Sequence, residues 1–227
     1  MKKFILSLLI IGGFTIVSFS QDIIFKTDGS RDIFNLEAID TTNNKPMNET
    51  ENKKGYIAIS IGSVFPMGDF GNRNIQDPKA GLANMGIQLN LVNIGYRLSK
   101  NIGIAGLLGG AVHSVEYIDE ATWSYGYFLA GVLFTFPSQK VDFDLRILGG
   151  FMNAKLNRPS LNAEANGDAF GYDIGAVVRS HISQKTSFLF SIDYAGGNPS
   201  LESHFSPDFS QNIKNITLAV GIAFRLN

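Results

Sequence analysis

Charged side chains alternate with large apolar ones in several stretches of this chain, and they are the residues best placed to do chemistry. Asp142, Asp144 and Arg146 follow this rule in one stretch, and Arg179 and His181 follow it in another. Alternation with period two is typical of a β-strand with two different faces. A buried charge needs a partner, and an arginine can meet a carboxylate through two parallel hydrogen bonds. We therefore expect a set of paired charges on the polar face of these strands.

If the strands enclose an interior, this set lies at similar depth in one half of it: Arg97, Asp142, Asp144, Arg146, Arg179, His181 and Arg225. Eight strands leave an interior just wide enough for side chains. We predict that the set is a structural plug of ion pairs and hydrogen bonds, in which Arg146, Arg179 and Arg225 pair with Asp142 and Asp144. A path for protons or a small solute is the open alternative.

Other kinds of chemistry find less support. A serine hydrolase needs a serine, a histidine and a carboxylate at one place. His113 and His204 occur near Ser114, Ser203 and Glu116, but no known motif surrounds them. The chain has no cysteine, and its three histidines are isolated, so the spacing of metal ligands is missing. We predict no catalytic residue, no metal and no cofactor.

Eight alternating stretches follow residue 55, each long enough for a tilted crossing of a membrane, which takes about 9–11 residues. The predicted strands are 56–65, 83–98, 102–115, 124–136, 141–154, 168–182, 186–196 and 213–226. Three connections are short, at 99–101, 137–140 and 183–185. Four are long, at 66–82, 116–123, 155–167 and 197–212. This sorting favours an all-β, eight-stranded antiparallel up-and-down transmembrane barrel, with periplasmic turns and extracellular loops.

The faces of the strands agree with that architecture. Small or charged residues oppose large apolar ones, as Ala58 and Ser60 oppose Ile57 and Ile59. This composition favours an apolar side that faces lipid and a polar side that faces the interior. The second strand changes phase between Leu91 and Val92, which predicts a β-bulge there.

Parity predicts two of the turns. Leu98 and Ile102 must share a face if the alternation of the neighbouring strands is to agree, and so must Ile182 and Thr186. Directly opposed residues of an antiparallel pair point to the same side. Each turn then holds three residues, 99–101 and 183–185. Such turns often end in a left-handed residue, which suits Asn101 better than Lys185.

The start of the chain has the layout of a secretory signal. Lys2 and Lys3 precede an apolar run from Phe4 to Val17, and small residues end at Ser20. We predict a signal peptide over 1–20 that is cleaved after Ser20. Residues 21–54 predict a leader. Its second part, 41–54, is polar and predicts a flexible linker, whereas the apolar residues on both sides of Asp28-Gly29 predict either a short hairpin or no structure. The barrel is predicted over 55–227.

Two motifs carry a resemblance to a known family. The ending Gly221-x-x-Phe224-x-Leu226 is similar to the closing strand of bacterial outer-membrane barrels, although Ala219 and Asn227 depart from that pattern. The stretch 65–70 (Phe-Pro-Met-Gly-Asp-Phe) resembles a turn found in the small outer-membrane β-barrel family, of which the OmpA membrane domain is the familiar type. The resemblance implies this fold, a location in the outer membrane, and contact with its lipid and with the barrel-assembly machinery.

The resemblance implies little about activity, because one fold can carry many functions. We predict a non-enzymatic protein of structural or accessory role, which can pack beside other outer-membrane proteins. A narrow solute pore and a soluble periplasmic β domain that binds a ligand are the alternatives. Nothing in the charge balance suggests nucleic acid. Four residues of the long loops are candidates for contact with a ligand or partner: Asp69, Phe70, Phe205 and Phe209. The alternative is that the three aromatic residues belong to an aromatic girdle and an ordered loop.

Overall fold

The structure is a computed structural model that describes residues 54–118, 120–203 and 207–226. The predicted signal peptide and nearly all of the predicted leader lie outside the described residues, as do His204 and Phe205. The strands are β1 (Gly55–Pro66), β2 (Gly86–Arg97), β3 (Ile102–Ser114), β4 (Thr122–Phe136), β5 (Val141–Arg158), β6 (Ala163–His181), β7 (Thr186–Gly197), β8 (Ser200–Ser203), β9 (Phe209–Ser210) and β10 (Ile213–Leu226). A short 3₁₀ turn, Pro159–Leu161, joins β5 to β6.

Eight of these strands form one closed antiparallel barrel. Strands β1 to β6 each pair with the next strand along the chain, β7 pairs with β10, and β10 returns to pair with β1 over the full length of β1. The predicted up-and-down β-barrel is thus confirmed. Strands β8 and β9 belong to the last long loop, where β8 pairs with both β6 and β9. Within the described part of the chain, no helix is long and apolar enough to cross a membrane.

The apolar face of the barrel points outward. On β1, Ile59 is 56% exposed, whereas Ala58 and Ser60 on either side of it are buried. The other barrel strands show the same alternation between exposed apolar residues and buried small or polar ones. A water-soluble barrel would bury the large apolar side chains. The predicted orientation of the two faces is therefore confirmed.

The turns 99–101 and 183–185 hold three residues each, as parity predicts. The backbone N–H of Leu98 donates to the Ile102 oxygen at 2.9 Å, and that of Ile182 donates to the Thr186 oxygen at 3.0 Å. We call the end of the barrel that carries these turns and 137–140 the short-turn end, and the opposite end the long-loop end.

The left-handed residue expected at Asn101 is absent. Among the described residues, Leu82, Tyr117, Glu120 and Asn162 are the ones other than glycine with positive φ. In both turns the first residue is a serine, whose hydroxyl accepts a backbone N–H from the residue three positions later. This local hydrogen bond shapes the turn without a left-handed residue.

The predicted bulge lies where the phase of β2 changes. Against β3, Asn90 opposes Gly109 while Val92 opposes Leu108, so Leu91 is the extra residue. The register against β1 shifts at the same place. Because of the bulge, Asn90 and Asn93 both point into the lumen, the interior of the barrel, although they are three residues apart.

The predicted loop 155–167 is wrong in its extent. Strand β5 continues to Arg158 and β6 begins at Ala163, so most of this segment is a projecting hairpin. The reversal uses Asn162, whose φ of 50° is left-handed. The apolar band is the belt of exposed apolar side chains around the barrel. A hairpin that projects beyond this band needs no apolar face, so its polar residues and Pro159 predict a loop. Backbone pairing and the neighbouring β8 hold it instead.

Candidate functional site: a side-chain-filled lumen

Arg179 organises the polar cluster nearest the short-turn end. Its Nε donates to Asp144 Oδ2 at 2.8 Å, and its Nη2 lies 3.1 Å from Asp142 Oδ2. The guanidinium carbon also lies 4.1 Å from the centre of the Tyr56 ring, a cation–π contact. All four side chains are buried. Two carboxylates and an aromatic face thus surround one cation where water has little access.

The remaining predicted residues at this end lie around Asp142. His181 Nε2 is 3.4 Å from Asp142 Oδ1, and its Nδ1 is 2.9 Å from the Ser187 hydroxyl. Arg97 and Arg225 are half-buried and line a small recess at the mouth of the lumen together with Lys54, Asp142 and Arg179. The structure therefore brings six of the seven predicted network residues to one end of the lumen.

Arg146, the seventh, belongs to a separate cluster deeper in the lumen. It donates from Nε to Asp173 at 3.1 Å, from Nη2 to Asp193 at 2.9 Å, and from Nη1 to Asn93 at 3.0 Å. The expected pairing of Arg146 with Asp142 and Asp144 is wrong. Its side chain instead meets acids carried by the two strands that follow β5 around the barrel.

A glycine on β6, which has no side chain, makes this arrangement possible. Gly175 lies opposite Arg146 on β5 and opposite Asp193 on β7. A Cβ at this position would lie 1.9 Å from Asp193 Oδ1 and 3.0 Å from Arg146 Nε. Glycine therefore leaves the gap through which the arginine reaches across β6.

The predicted network omitted Asp173, Asp193 and Asn93. Both aspartates lie on the polar phase of β6 and β7, so alternation alone indicates that they point inward. Asn93 follows the bulge, which sets its face. What alternation does not give is the height at which each side chain meets a partner across the lumen.

Neutral polar residues continue the filling towards the middle of the lumen. Tyr127 donates its hydroxyl to Asn90 Oδ1 at 2.5 Å, and Asn90 donates its amide to the Ser60 hydroxyl at 3.1 Å. Thr217 donates to Gln88 at 3.0 Å. These five side chains are buried. They link four strands with hydrogen bonds rather than charges.

An apolar core closes the lumen at the long-loop end. Phe70 comes from the first long loop and is fully buried, with its ring 5.2 Å from that of His113 and 5.7 Å from that of Trp123. Trp123 donates its indole N–H to the Gly81 oxygen at 2.8 Å, which ties the same loop to the barrel wall. Leu201, from β8, is buried in this core as well. The first and last long loops therefore fold over the mouth.

The candidate contact residues differ in how deeply this arrangement buries them. Phe70 is part of the core and has no exposed surface for contact with a partner. An aromatic side chain in a loop gives no sign in the sequence of whether the loop turns back into the barrel. Asp69 is half-buried, and its backbone carbonyl oxygen accepts the Gly81 N–H at 2.8 Å. Phe209 is half-buried against the core, and Phe205 lies outside the described residues.

His113 does not meet a nucleophile. Its Nδ1 donates to the backbone carbonyl oxygen of Asn84 at 2.7 Å, and its ring packs between Phe70 and Tyr125. Its Nε2 has no hydrogen-bond partner in the described part of the chain. Ser114, the next residue on the strand, is exposed on the opposite face. The buried ring is thus a packing element of the core.

Comparisons with known proteins agree with the fold. No protein-family model and no curated protein match this chain. Among solved structures, Neisserial surface protein A matches with a TM-score of 0.54 and 11% identity, covering 76% of this chain and 97% of that one. The outer membrane protein OprG from Pseudomonas aeruginosa (TM-score 0.49, 8% identity, 77% of this chain and 96% of that one covered) and Ail of Yersinia pestis (TM-score 0.45, 18% identity, 76% and 99% covered) are less similar in structure. The predicted resemblance is confirmed in its architecture: this chain has the fold of the small outer-membrane β-barrel family.

Proposed function

We propose that this protein is a non-enzymatic outer-membrane β-barrel with a closed lumen, which serves a structural or accessory role in the membrane. The observation that carries the proposal is the combination of an apolar outer surface with an interior filled by side chains. Neither feature alone would suffice. An apolar surface is compatible with a pore, and a filled interior is compatible with a soluble barrel.

Insertion in a membrane is supported by the outward face. Large apolar side chains are exposed all around the barrel, including Ile87 (64%), Phe128 (61%), Phe170 (73%) and Phe224 (52%). Soluble monomers rarely expose continuous apolar patches beyond a few hundred Å². A closed barrel also leaves no unpaired strand edge in lipid. In the membrane, lipid is the first partner, and the ending of β10 supports recognition by the barrel-assembly machinery.

Closure is supported by two different fillings of the lumen. Ion pairs around Arg179 and Arg146 occupy the half towards the short turns, and apolar and aromatic side chains around Phe70 occupy the half towards the long loops. A solute would have to break buried ion pairs and displace a packed core in the same passage. A structural role follows more directly from this interior than transport does.

The test is insertion of the refolded full chain into vesicles of neutral phosphatidylcholine. We expect the protein to float with the vesicles, to resist extraction at alkaline pH, and to migrate differently on detergent gels before and after boiling. In cells it should fractionate with the outer membrane. Recovery as a soluble periplasmic protein would overturn the proposal and favour the ligand-binding β domain.

A further inference from the structure

Exposed lysines mark the three turns and the start of β1 at the short-turn end. Lys100, Lys140 and Lys185 lie in the three turns, and Lys54 immediately precedes β1. All four are exposed, and none of the three turns contains an aspartate or glutamate. Because the four segments are spread around the barrel, these residues form a ring, which we call the lysine ring.

Among residues 54–118, 120–203 and 207–226, the acids of this end do not offset the lysine ring at the surface. Asp142 and Asp144 are both buried and pair with Arg179 inside the lumen. Arg97 and Arg225 add positive charge at the lumen mouth. The described residues of the long-loop end have the opposite balance, with eight acids against five bases: Asp69, Asp77, Glu116, Glu120, Glu164, Asp168, Glu202 and Asp208 against Arg73, Lys79, Lys155, Arg158 and Lys214. Charge is therefore separated along the barrel axis.

The apolar band fixes the level of the lysine ring. Leu98 and Ile182 are each 67% exposed and directly precede two of the turns, and Ile102 directly follows one. Lys100 and Lys185 thus lie within three residues of side chains suited to hydrocarbon. A lysine can extend its apolar stem along such a surface while its ammonium stays at the polar boundary. In a bilayer, that boundary is the layer of lipid headgroups.

We propose that the lysine ring binds the phosphate groups of anionic phospholipids in the leaflet at the short-turn end. The inference rests on the proposed insertion in a membrane. A basic cluster at a bilayer surface attracts lipids that carry net negative charge, whereas zwitterionic lipids carry none. The acidic excess at the long-loop end gives no such attraction in the other leaflet. The ring therefore selects lipids next to one end of the barrel.

The experiment compares lipids at the barrel perimeter by electron spin resonance. The full chain is reconstituted in phosphatidylcholine with trace spin-labelled phosphatidylglycerol or spin-labelled phosphatidylcholine, and the immobilised fractions give a relative association constant. We expect a preference for phosphatidylglycerol that declines with added salt, since exposed charges are screened. The triple variant Lys100→Gln, Lys140→Gln, Lys185→Gln should lose most of this preference. Phosphatidylglycerol should bind about five-fold more weakly at each affected lipid site, which is equivalent to ~1 kcal/mol.

The matched control is Lys79→Gln, Lys155→Gln, Lys214→Gln, which removes the same charge from the long-loop end. It should keep the preference. No preference in the unmodified protein, or equal loss in both triple variants, would overturn the inference. The gel shift on boiling confirms that each variant is folded. Failure to float with neutral vesicles would refute the proposed function itself, whereas insertion without preference would refute the lysine ring alone.

Discussion

Replacement of Arg146 by methionine tests whether the deeper cluster stabilises the barrel. Arg146 has no exposed side-chain surface, and its partners Asp173 and Asp193 are 2% and 1% exposed. Methionine keeps an unbranched apolar stem but lacks the guanidinium and donates no hydrogen bond, so two buried carboxylates lose their common cation. Breaking a buried pair costs about 3–5 kcal/mol because it leaves an uncompensated charge. With two acids affected, we expect a loss of unfolding free energy near the upper end of that range.

The assay is urea unfolding of the refolded protein in phosphatidylcholine vesicles. Trp123 is the only tryptophan, and its burial in the core makes its fluorescence report the folded state. A control, Lys155→Met, removes the exposed pair with Glu164, whose side chains are 40% and 46% exposed. Solvent-exposed ion pairs contribute about 0–1 kcal/mol.

A compensated variant separates charge from packing. If Asp173→Asn and Asp193→Asn are added to Arg146→Met, no uncompensated charge remains, and we expect most of the lost stability to return. A loss below about 1 kcal/mol for Arg146→Met alone, comparable to an exposed pair, would refute the claim that this cluster is a buried ion-pair network. A triple variant no more stable than Arg146→Met would refute the assignment of the loss to charge.

Two further predictions concern the wall of the barrel. Ile174 faces outward and is 54% exposed, so Ile174→Arg should lower the free energy of unfolding in vesicles by roughly 2–4 kcal/mol if the site lies at mid-membrane. The same urea titration measures this loss, and an unchanged midpoint would contradict contact with lipid at this position. Gly175→Ala places a Cβ against Asp193, so overpacking should lower the free energy of unfolding by about 1–3 kcal/mol. The control is Gly126→Ala, whose Cβ would lie 3.8 Å from its nearest atom and should leave the stability nearly unchanged.

The sequence predicts the barrel well because the fold depends on a pattern that each strand carries locally. Alternation gives the two faces, parity gives the turns at 99–101 and 183–185, and the phase change at Leu91 gives the bulge. These features need no knowledge of distant contacts. The length of the β5–β6 hairpin was not predictable in the same way, because above the apolar band no alternation marks a strand.

The partners inside the lumen depend on the register between strands. Asp142, Asp144 and Arg146 follow one another at alternate positions of β5, yet Arg146 pairs with Asp173 and Asp193. That choice depends on the gap at Gly175 and on the relative heights of β6 and β7, which are set by the whole circuit of pairings. The burial of Phe70 likewise depends on the path of a loop that no periodic pattern describes.

Single-channel recording in a planar bilayer tests the central claim, the closed lumen, most directly. The ion pairs around Arg179 and the core around Phe70 obstruct the lumen at two levels, so the folded protein should show no steady open state at either polarity. Insertion must be confirmed in the same preparation by the gel shift on boiling. A stable, ion-selective conductance that Arg179→Met alters would contradict the closed lumen and favour a narrow solute pore.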